Sequence, residues 1–394
     1  MSAVNEKAIR AYRLERVRGE LAQSGYCAAV LTDPINIRYA TGTRNMQVWT
    51  LHNAARYAFV PVEGPVVLFD FNNCEHLSAD IETVDEVRRA VSWYYYAAGP
   101  AAEIKADAWA AELADLVQRH GGGNRRVAFD LLNPLGAAAA ARYRLSAQDG
   151  EALMQHARLI KSPDEITAMR EAVAVCEEGL RRMQAALRPG ITENKLWSIL
   201  HQANIELGGE WLETRLLSSG PRTNPWYQEC GERVIEDGDM VIFDTDLIGK
   251  HGYSVDMSRS WLTGDRRPSD EQRRLYAVAH EQIQRNIEVL KPGRSFDEIA
   301  ELAWMPPAEF QDQMIGSVAH GVGLCNEYPL IQNRRARARG AGYPGMVHEN
   351  MTLCVEAYVG TVGGATGIKL EQQVWVTAKG AVSLNAYPFE AALL

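Results

Sequence analysis

The sequence has few cysteines, and their spacing excludes a disulfide framework or a zinc knuckle. Six cysteines are scattered over 394 residues without a C-x-x-C pair, as is typical of reduced thiols in a cytosol. No apolar run is long enough to span a bilayer, and residues 1–25 are charged and lack the apolar core of a signal peptide. We therefore expect a cytoplasmic protein without a membrane anchor, whose cysteines mostly pack in the core.

Basic charge is also scarce. The formal net charge is −9, which disfavours a nucleic-acid partner because binding to a phosphate backbone needs clustered lysine and arginine. One short basic segment, "NRRARAR" from Asn333 to Arg339, stands out. We interpret it as a solvated surface loop.

The apolar pattern predicts an α/β (α+β) fold in two domains. Up to about residue 160, short β-rich runs such as "CAAVLT" and "PVVLFD" alternate with helical stretches such as "IKADAWAAELADLVQRH". The segment "KSPDEI" then predicts a helix start, with Ser162 as N-cap, Pro163 in the first turn and Glu165 completing a capping box. We place the domain boundary there, giving domains 1–160 and 161–394.

The second domain contains a predicted internal repeat. One helix ends at "LRPG" (187–190) and another at "LKPG" (290–293), and each is followed by a further capped helix. The tetrapeptide is also a generic helix terminator, but the matching flanks favour two related helix-rich halves around a shared sheet.

Three aspartates stand in the strand-like stretch "MVIFDTDLIGKHGYSVDMSRSW" (240–261). The alternation places Asp244 and Asp246 on one face, and a turn near Gly249 would bring Asp256 back towards them. A solvated hairpin is the simpler alternative. Buried together, however, three carboxylates need a cation among them.

Further candidate ligands lie downstream. His320 is followed by Gly321 and Gly323, and Glu356 and Glu371 each lie within an apolar strand, where an acid needs a partner. Five or six carboxylate and imidazole ligands of this kind predict a centre with two metal ions. Oxygen-rich ligation with one imidazole admits iron, manganese, cobalt or zinc, as divalent or trivalent ions.

The order Asp, Asp, His, Glu, Glu resembles the pita-bread metalloenzymes, which include creatinase, prolidase and aminopeptidase P. The resemblance covers the whole chain and implies a creatinase-like N-terminal domain, a pita-bread catalytic domain with a pseudo-twofold repeat, and a homodimer. The D-x-D pair and the long stretches "DPINIRYATGTRNMQVW", "GGEWLETRLLSSGPRTNPWYQECG", "HGVGLCNEYPL" and "MTLCVEA" look most like the dimethylsulfoniopropionate lyases of this family. That resemblance implies that Asp244, Asp246, Asp256, His320, Glu356 and Glu371 are all metal ligands.

The peptidases of the family need imidazoles beside the metals to move protons. By resemblance, two of those positions correspond here to Trp226 and Asn326, and a third corresponds to Gly316. A peptidase is therefore disfavoured.

A lyase substrate with a sulfonium group suits aromatic faces instead. Candidates for such a cage are Trp49, Trp226, Tyr227 and Tyr328, although each could equally pack in a domain interior. Asn326 stands where the resemblance implies an aspartate base, and asparagine cannot accept that proton. Glu327 or a hydroxide could replace the base, the substrate could be another cationic or carboxylate compound, or the protein could be a weakly active relative.

Our leading hypothesis is a metal-dependent carbon–sulfur lyase that converts dimethylsulfoniopropionate to dimethyl sulfide and acrylate. The alternatives are a dinuclear-metal hydrolase of a small C–N substrate and a non-catalytic binding protein on the same scaffold.

Overall fold

The computed structural model describes residues 4–394 and divides into two compact units, Asn5–Arg158 and Leu159–Leu394. Both contain helices and sheets, so the predicted mixed α/β class is confirmed. No helix within the described range is both long and apolar enough to cross a membrane. All six cysteines are free thiols, and four of them are buried.

The N-terminal unit is built on one mixed sheet of six strands. The strand order is β4-β3-β2-β1-β5-β6, with β1, β2 and β3 paired antiparallel and the remaining pairs parallel. The strands are β1 (Ala28–Leu31), β2 (Tyr57–Pro61), β3 (Val67–Asp70), β4 (Glu86–Arg89), β5 (Arg126–Phe129) and β6 (Ser146–Asp149). The helices are α1 (Glu6–Ser24), α2 (Pro34–Thr41), α3 (Gln47–His52), α4 (Tyr95–Ala98), α5 (Ala102–His120), α6 (Pro134–Arg142) and α7 (Glu151–Leu159).

The core of this unit lies between the sheet and α5. Trp109, Leu113 and Val117 recur at four-residue spacing on α5 and pack with Phe69 and Val127 of the sheet. The apolar stripe of the predicted helix and the continuous apolar strands therefore account for this layer.

The C-terminal unit contains the remaining elements and most of the antiparallel pairing. Its strands are β7 (Trp211–Leu212), β8 (Leu217–Ser219), β9 (Met240–Asp244), β10 (Leu247–Ile248), β11 (Ser254–Val255), β12 (Ser258–Leu262), β13 (Ser317–Val322), β14 (Asn326–Gln332), β15 (Thr352–Gly360), β16 (Gly367–Thr377) and β17 (Gly380–Ser383). Its helices are α8 (Pro163–Ala186), α9 (Glu193–Glu206), α10 (Asp270–Val289), α11 (Phe296–Leu302) and α12 (Arg334–Ala338). The strands form three sheets, with the orders β12-β9-β8, β11-β10-β7 and β14-β13-β15-β16-β17.

The helix start predicted at Ser162 is confirmed. Ser162 and Glu165 make a reciprocal capping box at the start of α8, and Ser269 with Gln272 makes another at the start of α10. Each capping pair satisfies two of the backbone N–H groups that a helix start leaves without partners.

The internal repeat is visible in the backbone hydrogen bonds. Gly190 N donates to Ile235 O at 2.9 Å, and Gly293 N donates to Val347 O at the same distance. Both glycines have positive φ, +95° and +84°, a conformation that glycine adopts without steric cost. In both halves, the turn between the two helices is therefore hydrogen-bonded in the same way to a segment later in the chain, as a pseudo-twofold repeat requires.

The prediction of a loop from Asn333 to Arg339 is wrong. Asn333 caps the short helix α12, and two of its arginines form ion pairs, Arg335 with Asp312 and Arg337 with Asp297. An asparagine N-cap followed by residues of good helix propensity explains the helix.

Candidate metal centre

The three aspartates come from one hairpin. Strand β9 pairs antiparallel with β12, so Asp244 lies directly opposite Ser258, and Asp256 comes two residues earlier on the returning chain. Thr245 ties the two arms of the hairpin together, because its hydroxyl donates to Val255 O at 2.8 Å and accepts from Met257 N. Side chains alternate along a strand, and the hairpin therefore turns Asp244 and Asp256 the same way.

Asp246 lies beyond the end of β9 in a positive-φ conformation (φ +35°). Its Oδ2 accepts a hydrogen bond from Thr214 Oγ1 at 2.7 Å, and its main-chain oxygen accepts from Glu213 N. Oxygens of Asp244, Asp246 and Asp256 lie within 4.8 Å of one another. The structure thus brings the three predicted aspartates into one buried group.

The other ligand candidates come from the five-stranded sheet. Glu356 on β15 is directly opposite Glu371 on β16, and His320 on β13 is opposite Cys354 on β15. Residues directly opposite in an antiparallel pair share a face. This face meets the aspartate hairpin, since Ser258 Oγ donates to Glu371 Oε2 at 3.0 Å and Asp256 N donates to Gln373 Oε1 at 3.2 Å.

His320 is oriented for metal binding. Its Nδ1 lies 3.1 Å from the Gly321 carbonyl oxygen, which can only accept, so in the neutral imidazole Nδ1 carries the proton and the lone pair of Nε2 is available to a metal ion. Nε2 lies 3.3 Å from Glu371 Oε1 and 3.5 Å from Asp256 Oδ2. Two donors, each at about 2.1 Å from a tetrahedral ion, are about 3.4 Å apart, so this spacing fits a shared metal.

Three buried carboxylate oxygens also lack a hydrogen-bond partner within residues 4–394: Asp244 Oδ1, Asp256 Oδ1 and Glu371 Oε1. Buried acceptors of this kind are costly unless something binds them. Both the orphaned oxygens and the imidazole distances therefore fit a metal ion.

Glu356 is placed differently from the other five predicted ligands. Its Oε1 accepts from Ser317 Oγ at 2.5 Å and its Oε2 lies 3.3 Å from Lys369 Nζ. It belongs to neither group of potential ligand atoms within the described residues, whereas Cys354 joins Asp256, His320 and Glu371 in one of them.

Lys369 is the functional side chain that the sequence reasoning missed. It is fully buried, and its Nζ lies 2.8 Å from Asp244 Oδ2 and 2.6 Å from Glu371 Oε2. Burial raises the pKa of the Asp244 carboxyl, but the charge of Lys369 and the hydrogen bonds from Lys369, Asp256 and Ser258 together lower it, while burial and Asp244 raise the pKa of Asp246. The signal was in the segment "GIKLEQ", where a lysine two residues before Glu371 must share its face.

Trp226 and Tyr227 adjoin the cluster. Trp226 is buried, packs on Tyr358 at 6.0 Å between ring centroids, and has Lys369 Nζ 5.6 Å from its ring centroid. Tyr227 is 70% exposed with φ +70°. Its ring centroid lies 5.9 Å from that of Trp226, which in turn contacts Lys369.

The remaining predicted residues lie in different surroundings. Trp49 is in the N-terminal unit, where it contacts Phe71 and Tyr96 and lines a cavity of about 380 Å³. Tyr328 stacks on Tyr343 with ring centroids 5.5 Å apart. Asn326 is exposed at the start of β14.

Glu327 is buried and forms an ion pair with Lys161. It is directly opposite Gly321, whereas His320 is opposite Leu330. The two strands shift register between His320 and Gly321, and Glu327 belongs to neither group of potential ligand atoms within the described residues. This placement does not favour Glu327 as a base at the metal centre.

Comparisons with known proteins agree with the predicted fold. Residues 167–378 match metallopeptidase family M24, and residues 13–161 match the creatinase/prolidase N-terminal domain. Over 98% of its length the chain is 42% identical to dimethylsulfoniopropionate lyase DddP of Roseovarius nubinhibens and 41% identical to that of Roseobacter denitrificans, covering 87% and 88% of those proteins. Among solved structures, an Xaa-Pro dipeptidase from Bacillus anthracis superposes with a TM-score of 0.77 at 22% identity, covering 97% of this chain and 99% of that one.

Proposed function

This chain belongs to metallopeptidase family M24, and from that premise we propose that it is a metal-dependent dimethylsulfoniopropionate lyase. The observation that carries the proposal is its similarity, over nearly the whole chain, to two lyases of that name. In the reaction, the carbon beside the substrate carboxylate loses a proton, its electron pair forms the double bond of acrylate, and the carbon–sulfur bond breaks so that dimethyl sulfide leaves with the bonding pair.

The charges of the cluster support two divalent ions. The five carboxylates Asp244, Asp246, Asp256, Glu356 and Glu371 and the ammonium of Lys369 together leave four negative charges. Two divalent ions would balance them, with His320 neutral as a ligand should be. When bound, such ions act as Lewis acids on the substrate carboxylate and stabilise the charge that develops beside it.

The chain's own residues prepare this site. Lys369 holds Asp244 and Glu371 in place, and the Gly321 carbonyl sets the tautomer of His320. Tyr227, as the exposed aromatic residue at the cluster, provides a face for the sulfonium group. Trp226 helps to hold Lys369 in position, because its ring packs against Lys369 and Tyr358.

The arrangement supports a peptidase less well. Of the histidines in the described residues, His320 alone contributes to a group of potential ligand atoms, and the family's helper imidazole positions carry Trp226 and Asn326. The amide of Asn326 cannot accept a proton, so elimination requires a proton acceptor other than the aspartate expected at this position.

The test is headspace detection of dimethyl sulfide from purified, metal-loaded protein supplied with dimethylsulfoniopropionate. Asn326→Asp is assayed alongside, and Asp256→Ala serves as a variant whose metal centre is broken. Release by the unaltered protein, lost in Asp256→Ala, supports the lyase. If neither the unaltered protein nor Asn326→Asp released dimethyl sulfide, and the protein hydrolysed an Xaa-Pro dipeptide, the lyase proposal would be wrong and the protein would be a hydrolase.

We also propose a cytoplasmic homodimer. The support is a set of exposed apolar side chains in the N-terminal unit, on and around α3 and α4: Met46, Val48, Trp49, Leu51, Tyr95 and Tyr96. Apolar patches of this kind commonly mark an interaction surface. Light scattering of the protein and of Val48→Glu, which should weaken association, tests the dimer; a monomer at micromolar concentration would contradict it.

A further inference from the structure

Cys354 lies in the same layer of the sheet as the proposed metal ligands. On three adjacent strands, His320, Cys354 and Gln373 are directly opposite one another, and Glu356 and Glu371 form the next row on the same face. Residues in such rows project to one side of the sheet. The thiol therefore points towards the region that the imidazole and the two glutamates face.

The Cys354 sulfur lies among the ligand atoms of the proposed metal centre. Cys354 Sγ, an oxygen each of Asp256 and Glu371, and a nitrogen of His320 all lie within 4.8 Å of one another. Two further observations point to a ligand there, because Asp256 Oδ1 and Glu371 Oε1 are deeply buried and lack hydrogen-bond partners within residues 4–394. Within the described residues 4–394, the hydrogen bond that the thiol makes is a long one of 3.5 Å to the Asp256 carbonyl oxygen.

We propose that Cys354 supplies a sulfur ligand to the metal ion held by Asp256, His320 and Glu371. The two positions of the centre then differ in chemistry. One has nitrogen, sulfur and oxygen donors, and the other has only the oxygens of Asp244, Asp246 and Asp256. A thiolate favours zinc, cobalt or iron, whereas carboxylates alone also suit manganese. The thiol proton is released to solvent as the ion binds.

This inference rests on the metal dependence of the proposed function but not on its substrate. Cobalt(II) is the probe, because a bound thiolate gives a sulfur-to-cobalt charge-transfer band in the near ultraviolet. We expect the band in the metal-stripped protein reloaded with cobalt, and its loss in Cys354→Ser at equal cobalt content. Cobalt affinity should fall by more than the roughly 10- to 100-fold that follows loss of a residue outside the ligand set.

Cys74→Ser and Cys325→Ser are the matched controls. Both thiols are more exposed than Cys354, so adventitious cobalt would bind them first. The band should persist in these two variants. A stoichiometric cobalt protein without the band, or a band that survives in Cys354→Ser, would overturn the proposal.

X-ray absorption of the zinc-loaded, unaltered protein covers the case in which Cys354→Ser does not fold. A sulfur scatterer at about 2.3 Å supports the assignment, and a shell of only oxygen and nitrogen near 2.0 Å refutes it. Neither measurement uses dimethylsulfoniopropionate. Failure of the lyase assay and failure of this inference are therefore distinguishable.

Discussion

Lys369 Nζ lies 2.6 Å from Glu371 Oε2, and both side chains are buried on strand β16. The same ammonium reaches Asp244 and Glu356 at 2.8 and 3.3 Å. A fixed cation is thus built into the carboxylate cluster. It reduces the repulsion that the acids would otherwise exert on one another when no metal is bound.

Lys369→Met should destabilise the metal-free protein strongly. Removing one partner of a buried ion pair leaves uncompensated charge and typically costs about 3–5 kcal/mol. Metal ions would offset part of this loss, because they supply positive charge to the same oxygens. Denaturation in chelator and after metal loading measures both effects.

Lys379→Met is the control for this prediction. It removes the same charge from an exposed position on the following turn and should change stability little. An equal effect of the two substitutions would show that Lys369 does not stabilise the cluster. Lys369→Arg should retain most of the stability, because it keeps the charge.

The pH dependence of the metal-free protein should report His320. Burial alone would lower its pKa, but the carboxylates of Glu371 and Glu356 raise the pKa of His320 to about 9. Its contribution to stability, about 3 kcal/mol, is then fully present below the unfolded-state value near 6.5 and is lost as pH rises through 9.

Measuring the free energy of unfolding in chelator between pH 6 and 9.5 tests this. His320→Gln should reduce the decline over that window, to which the buried Asp246 and Cys176 also contribute because their pKa values are raised, and His348→Gln, at an exposed position of the same unit, should leave it intact. In metal-loaded protein the contribution of His320 should vanish, because a ligating imidazole is already neutral. A decline unchanged in His320→Gln would assign it to another group.

Features that depend on interactions between residues close together in the sequence could be predicted, and features that depend on distant residues could not. The α8 start was predictable because Ser162 and Glu165 form its capping box within one turn. The return of Asp256 towards Asp244 was predictable from the nearby turn, but the predicted alternation does not reach Asp246, which lies beyond the end of β9 with a positive φ. Strands β4 and β6 were missed because both are edge strands whose mostly exposed residues show no apolar alternation.

At the site, sequence reasoning identified acids in apolar strands but not their neighbours across strands. That Cys354 is opposite His320 and that Lys369 reaches Asp244 depend on strand register and sheet packing. Neither is encoded locally. Side chains two residues apart on a strand share a face, so the sequence alone indicates that Cys354 faces the same way as Glu356, and Lys369 the same way as Glu371.

The ion pair between Lys161 and Glu327 gives a test of whether Glu327 is structural or catalytic. If it is structural, Lys161→Met and Glu327→Gln should each cost about 3–5 kcal/mol of stability. The double variant should lose less than the sum, because the two changes share one interaction. Denaturant unfolding of the four proteins gives the coupling energy. Glu327→Gln that unfolds normally but releases no dimethyl sulfide would instead identify Glu327 as the base.

Tyr227 is the aromatic residue from which we expect the largest effect on substrate binding. Its ring is exposed and lies 5.9 Å from the ring of Trp226, which contacts Lys369, and a cation on an aromatic face gains about 0.5–2 kcal/mol. Tyr227→Leu should therefore raise KM for dimethylsulfoniopropionate about 2- to 30-fold, and Tyr227→Phe, which keeps the face, should change KM little. Tyr143→Leu, at the end of α6, is the exposed-tyrosine control and should leave both kinetic constants unchanged. If Tyr227→Phe instead lost kcat at unchanged KM, the hydroxyl would take part in proton transfer, and the role assigned here to the ring face would be wrong.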